Sequence, residues 1–413
     1  MDYLKPKYIE YQIANLKQLT FEVTDACNLK CTYCGYGEFY GDYDTRENKM
    51  LPTEKAFIVI DYLVNYWNSS LNSSSNNVIF ISFYGGEPLL NMKFIETVVS
   101  YIRKQKCRNR TFTFSMTTNA LLLHKYMDFL KENDFYLLIS LDGDKENTAY
   151  RIDKSGKPAF DHIIYNTDKL RNKYPDYFTE RVNFNAVLHN KNSVADIYNY
   201  IKNKYDKIPS IGELNNMGIK PEMESIFMQT YRNAQESLYQ SENYSEIEKD
   251  MFMQIGSYQS VTAFIHQYSG FVYKDYNELL YGKNITKTIP TGACIPFSRK
   301  MYVTVNGKIL PCERIGHQFA IGEITENEVI LDFEGIAEKY NGYYAKLDKQ
   351  CSKCHNQLAC KQCIFNLADL EKRPTCYGYM GAKDFETYKA TQIRFLEENP
   401  EAYYEIMEKV IIR

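Results

Sequence analysis

The stretch FEVTDACNLKCTYCGYG, residues 21–37, decides how the rest of this 413-residue chain is read. Together with Leu19 and Thr20 before it, the opening run has the apolar, β-branched character of a strand, expected over 19–23. Cys27-x3-Cys31-x2-Cys34 follows at once, so the three thiols stand on the loop that leaves the strand's C-terminal end. Further strand patterns lie near 78–83, 111–117, 135–140, 181–188 and 224–229, with helical patterns between them. The clearest helix follows Pro52, where Phe57, Ile60, Tyr62, Leu63 and Val64 recur at helical spacing and Thr53 is placed to cap the first turn. Others are expected over roughly 91–104, 121–132, 160–172 and 193–204. Six strands alternating with helices predict an α/β fold: a parallel sheet curled by right-handed crossovers into an open or partial (β/α)6 barrel. Functional sites of such sheets gather at the C-terminal strand ends, where these cysteines fall.

Composition narrows the field of partners. Apolar residues make up 44% and charged residues 24%, an ordinary globular balance. Lys plus Arg total 49 against 52 Asp plus Glu, and the net charge of -3 leaves no electrostatic footprint for nucleic acid or an anionic membrane. The N-terminal MDYLKPKYIEYQIANLKQ lacks the apolar core of a secretory signal, and no apolar run approaches the roughly 20 residues of a membrane span, so a cytoplasmic location is expected. Eleven cysteines are too few for a disulfide scaffold in so long a chain. Cys27, Cys31 and Cys34 form one group, Cys107 stands alone in a polar run, and Cys294, Cys312, Cys351, Cys354, Cys360, Cys363 and Cys376 crowd the last third. Such grouping points to metal. Zinc is one reading, but a structural zinc site wants four ligands, and no fourth Cys or His lies near the first three. Three thiolates on a four-iron cluster leave one iron open. The six histidines form no HExxH or triad-like grouping, which removes support for hydrolytic zinc or nucleophilic chemistry.

With Tyr33 before its last cysteine, the first motif resembles the signature of the radical SAM superfamily. That resemblance implies that Cys27, Cys31 and Cys34 hold a 4Fe-4S cluster whose open iron is chelated by S-adenosyl-L-methionine. It also implies that an electron from the cluster cleaves that cofactor to a 5'-deoxyadenosyl radical. Tyr84-Gly85-Gly86-Glu87-Pro88, at the end of the strand near 78–83, is similar to the element that holds the methionine amino group. Two glycines there permit close backbone approach to a ligand. Thr117-Thr118-Asn119 and Ser140-Leu141-Asp142-Gly143 resemble the segments near the cofactor's ribose and carboxylate, although Ala120 follows Asn119 where the family has glycine. Tyr33, Tyr84, Gly85, Gly86, Glu87, Asn119 and Ser140 are therefore the expected cofactor contacts. Arg151, in RIDKSGKPAF, resembles a family arginine to which the sequence assigns no role.

The later cysteines resemble a SPASM domain, which binds two auxiliary 4Fe-4S clusters, with two residues before Cys363 where the family more often has three. By that resemblance Cys294, Cys312 and Cys363 hold one cluster and Cys351, Cys354, Cys360 and Cys376 the other, which makes three clusters in all and leaves one auxiliary cluster without a named fourth ligand. Anaerobic sulfatase-maturating enzymes, which share this domain, have an extra cysteine where Ser298, Arg299 and Lys300 stand here. They also place a catalytic aspartate where this chain has Glu313, so Glu313 is the candidate general base, with a solvated or Arg314-paired side chain as the plain alternative.

The expected domains are an N-terminal extension over 1–14, a barrel over 15–230, a helical bridge over 231–290, a SPASM domain over 291–380 and a helical segment over 381–413 broken near Pro400. The resemblance implies a radical SAM maturase acting on a ribosomally made peptide to install a thioether or carbon-carbon crosslink, with formylglycine formation in a sulfatase as the alternative. A non-catalytic iron-sulfur electron-transfer module is the alternative of another class. Partners would be a peptide or protein substrate and an external one-electron reductant. The first barrel strand begins too early for a leader-binding winged helix, so leader recognition is expected to fall to the bridge, a loop or a separate protein.

Overall fold

A computed structural model describes residues 3–73, 77–273, 276–282, 289–290 and 295–410. Six parallel strands form the barrel wall: β1 (Gln18–Thr24), β2 (Val78–Gly85), β3 (Thr111–Thr118), β4 (Tyr136–Ser140), β5 (Val182–Val187) and β6 (Ser210–Gly212). They lie side by side in chain order, and the sheet does not close on itself. Six of the seven β1 residues are buried, as expected of a parallel strand covered on both faces. The outer cover is amphipathic helix. In Thr53–Trp67 the inward stripe is Ala56, Val59, Ile60, Leu63 and Trp67, at the three- and four-residue spacing of one helix face. Thr53 is itself the first helical residue and caps nothing; the cap position is Pro52, which has no side-chain acceptor to offer. Ser193 does cap its helix, Val194–Tyr205, by accepting from Asp196 N.

Two expectations are corrected. Residues 224–229 are not the sixth strand: Glu224–Thr230 is a helix whose buried positions, Phe227 and Thr230, are three apart, while Ile226 and Met228 face solvent. Phe227 packs with Phe39 and Tyr40, and the sixth strand is the short β6 instead. The sheet also continues past β1, because β7 (Lys300–Val303) pairs parallel to β1, and β8 (Lys308–Leu310), β9 (Gly322–Ile324) and β10 (Val329–Ile330) follow antiparallel.

The chain divides into two compact units. One comprises Pro6–Ser237 and Cys294–Ile336, so the segment with Cys312 folds with the barrel strands. The other comprises Met1–Lys5, Leu238–Ala293 and Ala337–Arg413. In it, helix Ser257–Tyr268 shares a core of Tyr258, Val261, Ile265, Ala402 and Ile406 with helices Ala382–Glu398 and Glu401–Lys409, and Pro400 stands at the break between the last two. Among the described residues no helix is long and apolar enough to cross a membrane.

Candidate active site

The three thiols leave the C-terminal end of β1 on one loop, each half-buried. Backbone bonds wind it tightly: Cys34 N donates to Cys31 O at 3.2 Å and Gly37 N to Cys34 O at 2.6 Å. Cys27 Sγ accepts from Leu29 N at 3.4 Å and from Asn119 Nδ2 at 3.8 Å. Burial pushes the Cys27 thiol up to about 11 and the Cys31 thiol up to about 12, with the Cys34 sulfur adding like charge to both. Such thiols become thiolates when a cationic group binds them, so the trio fits an iron-sulfur cluster chemically. Among the described residues no three His, Cys, Asp or Glu side chains converge closely enough to hold a single metal ion.

The end of β2 closes over this loop. Gly85 has φ of +129°, and a Cβ there would collide with Thr24 O; one on Gly86 would collide with Ala26 O. The glycines thus let β2 lie against the backbone of the cysteine loop, with Gly86 N donating to Thr24 O and Glu87 N to Ala26 O, each at 2.9 Å. Glu87 is fully buried and its carboxylate is engaged within the protein: it accepts from Thr118 Oγ1 at 2.7 Å, Asn119 N at 2.8 Å and Leu89 N at 3.1 Å. Burial pushes its carboxyl up to about 7 despite those donors. Asn119 Nδ2 in turn donates to Asn28 Oδ1 at 2.7 Å, which ties the end of β3 to the cysteine loop. Ala120 adopts the left-handed conformation, φ 63°, a backbone state that favours glycine.

Tyr33 is buried, stacks on His189 at 5.3 Å, and donates its hydroxyl to Asp142. Arg151 grips Asp142 through Nε at 2.9 Å and Nη2 at 2.8 Å. Burial alone would raise the Asp142 carboxyl, but the guanidinium outweighs it and holds the group down at about 2. Sequence reasoning noted Asp142 and Arg151 only as parts of motifs; pairing them requires the chain to turn back after β4. Ser140 closes β4, nearly buried.

The barrel strands line a cavity of about 570 Å³ whose walls include Gln18, Thr20, Ser82, Ser115, Thr117 and Asn183. Gln18 Nε2 donates to Ser82 Oγ at 2.7 Å, and Ser82 and Ser115 hydroxyls meet at 2.6 Å. Tyr84, Lys300 and Glu313 also border it. Lys300 Nζ donates to both Glu313 oxygens at 3.0 and 2.9 Å, and Cys312 Sγ lies 3.6 Å from Oε2. Burial would raise the Glu313 carboxyl, yet the Lys300 ammonium holds it below the usual range. Its partner is therefore Lys300 and not the neighbouring Arg314.

In the other unit, residues 350–355 face 376–380. Gln350 brackets Cys376 with bonds at 3.2 and 3.3 Å, Met380 N donates to Cys354 Sγ at 3.5 Å, and His355 N donates to Met380 O at 2.9 Å. This brings Cys351, Cys354 and Cys376 to one end of helix Phe333–Cys351, with Cys360 on the loop that follows. The His355 ring stacks on Phe385. Cys363 belongs to the same unit and Cys312 to the barrel unit, while Cys294 lies outside the described residues.

Residues 21–202, which include the cysteine triad at the end of β1, match the model of the Radical SAM superfamily, so this part of the chain is a radical SAM domain. Domains of this class use a 4Fe-4S cluster and S-adenosylmethionine. Among curated proteins, a cysteine-type anaerobic sulfatase-maturating enzyme of Clostridium novyi is 32% identical over 197 residues, 46% of this chain and 48% of that enzyme. The chain thus aligns with about half the length of that relative. A radical SAM cyclopropyl synthase, TigE of Paramaledivibacter caminithermalis, is 21% identical over 404 residues, 95% of this chain and 77% of that protein. The solved structure of native anSMEcpe with bound AdoMet superposes with a TM-score of 0.60 at 19% identity, covering 96% of this chain and all of that one, a likeness of fold.

Proposed function

We propose that this chain is a radical SAM maturase of the SPASM type that oxidatively modifies a ribosomally made peptide, installing a thioether or carbon-carbon crosslink. The observation that carries the reading is the Cys27, Cys31 and Cys34 loop set at the end of β1, in the same barrel unit as a cavity bordered by Glu313. Cys27, Cys31 and Cys34 would hold the cofactor-binding cluster. Tyr84, Gly85, Gly86, Asn119 and Ser140 would shape the cofactor's seat, with Tyr33 and Glu87 acting from behind through Asp142, Thr118 and Asn119. Cys294, Cys312 and Cys363, and separately Cys351, Cys354, Cys360 and Cys376, would hold auxiliary clusters. When bound, these groups supply the one-electron chemistry that opens a C–H bond and accepts the surplus electron. The protein's own part is to orient the substrate in the cavity and to take up the proton, for which Glu313, in contact with Cys312, is the candidate.

Similarity along most of the chain to TigE, a cyclopropyl synthase by name, supports carbon-carbon bond formation. Similarity to the clostridial sulfatase-maturating enzyme supports the second reading, oxidation of Cys or Ser to formylglycine in another protein. The two are separated by incubating the reconstituted, reduced enzyme with S-adenosylmethionine and either a candidate precursor peptide or a sulfatase-derived peptide. Loss of two hydrogens from the precursor without a new aldehyde supports crosslinking. A hydrazide-reactive aldehyde on the sulfatase peptide supports the alternative.

A further inference from the structure

We propose that Asp142, gripped by Arg151 and by Tyr33, is a charged bolt that positions the cysteine loop and sets the reduction potential of the cluster held there. The proposal rests on the reading that Cys27, Cys31 and Cys34 carry that cluster. Tyr33 stands between two of the three cysteines, and its hydroxyl donates to Asp142 Oδ2. Arg151 takes the same carboxylate side-on at 2.9 and 2.8 Å, and Val187 N donates to Oδ1 at 3.0 Å, so the fully enclosed Asp142 is held from three directions. The Arg151 guanidinium also lies 5.6 Å from the Tyr33 ring centroid. The residues after Arg151 fasten the loop a second time through backbone: Lys30 N donates to Ile152 O at 2.7 Å, and Leu29 bridges Asp153. One short segment, 151–153, thus secures the loop at residues 29–30 and, through Asp142, at residue 33.

Geometry of this kind has an electrical consequence. Apart from the neighbouring thiols, Arg151 and Asp142 are the charged side chains that bear most on the Cys31 sulfur. A buried fixed charge beside a cluster changes the work of adding an electron, since the local medium screens it poorly. The pair is neutral as a unit, so its halves act in opposite senses. Replacing Asp142 by Asn leaves the guanidinium uncompensated, which favours the reduced cluster. Replacing Arg151 by Gln leaves a carboxyl that burial pushes upward, so the titration is run at alkaline pH, where the group stays ionised and disfavours the reduced cluster. A merely structural bolt would move both variants the same way.

The test uses full-length protein, anaerobically reconstituted, with iron content matched before measurement. The midpoint potential of the Cys27, Cys31 and Cys34 cluster is read by electron paramagnetic resonance during titration without S-adenosylmethionine. The expected result is a rise for Asp142→Asn, a fall for Arg151→Gln, and a broadened signal for Tyr33→Phe, which frees the loop without changing charge. Shifts of the same sign, or potentials equal to wild type at equal iron content, would overturn the proposal. If Asp142→Asn does not retain iron, the double variant Asp142→Asn/Arg151→Gln decides: regained iron with a near-wild-type potential supports the bolt, and continued loss of iron overturns its electrostatic part. A wild-type protein with no cluster at Cys27, Cys31 and Cys34 would instead remove the reading on which the proposal stands.

Discussion

Glu87 is held where a carboxylate is least at ease, and pH should reveal it. With its carboxyl raised from 4.5 to about 7 in the folded protein, the native state binds more protons than the unfolded chain between those values. Stability from this group is therefore full below 4.5 and is lost as pH rises toward 7. Glu87→Gln should flatten that decline while costing about 2 kcal/mol for the donors it no longer satisfies. Thermal midpoints of the metal-free protein at about pH 5 and about pH 8 check it, and a variant whose pH slope equals the wild type's would contradict it. Glu313 has the opposite sign, because Lys300 depresses its carboxyl. Its contribution is present above the unfolded value and is lost on acidification through the folded one. Lys300→Met, which strands that partly buried carboxylate, should destabilise the protein by about 3 kcal/mol at neutral pH, whereas Lys300→Met/Glu313→Gln should recover much of the loss, as denaturant titration would show. Ala120 carries a smaller strain. Relief of its left-handed backbone in Ala120→Gly should gain up to about 1 kcal/mol, since glycine's flexibility in the unfolded chain offsets part of the benefit.

Helix Glu224–Thr230 shows where element type escapes the sequence. Its apolar run Ile226, Phe227 and Met228 is too short for periodicity to separate strand from helix, and the choice is made by one contact, Phe227 against Phe39 and Tyr40. Phe227→Ala should therefore cost about 3 to 4 kcal/mol, while Met228→Ser on the exposed side should stay within about 0.5 kcal/mol, measured by thermal denaturation. Strands β1 to β5 were legible because each is a run of apolar and β-branched residues between polar turns. By contrast β6 is three residues long, and β7 to β10 are no more than four residues each; they exist by pairing onto β1 and one another, a long-range contact that no local pattern announces.

At the scale of the molecule, the chemistry was easier to read than the geometry that supports it. Cysteine spacing and the Gly-Gly turn could be quoted from the chain, because each is a local requirement of ligand count or backbone approach. The partners that hold them could not: Asp142 meets Tyr33 across 109 residues, and Lys300 meets Glu313 only because β7 and β8 form a hairpin. The glycines also make room for the cysteine loop's own backbone. The central claim is that the first three cysteines form a cofactor-cleaving centre and the later seven form auxiliary ones. Iron and sulfide per chain, measured in anaerobically reconstituted wild type and Cys27→Ala together with 5'-deoxyadenosine formed after reduction with S-adenosylmethionine, test it most directly. The account predicts about twelve irons and cofactor cleavage in wild type, and about eight irons with no cleavage in the variant. Four irons with zinc, or cleavage that survives in Cys27→Ala, would contradict it.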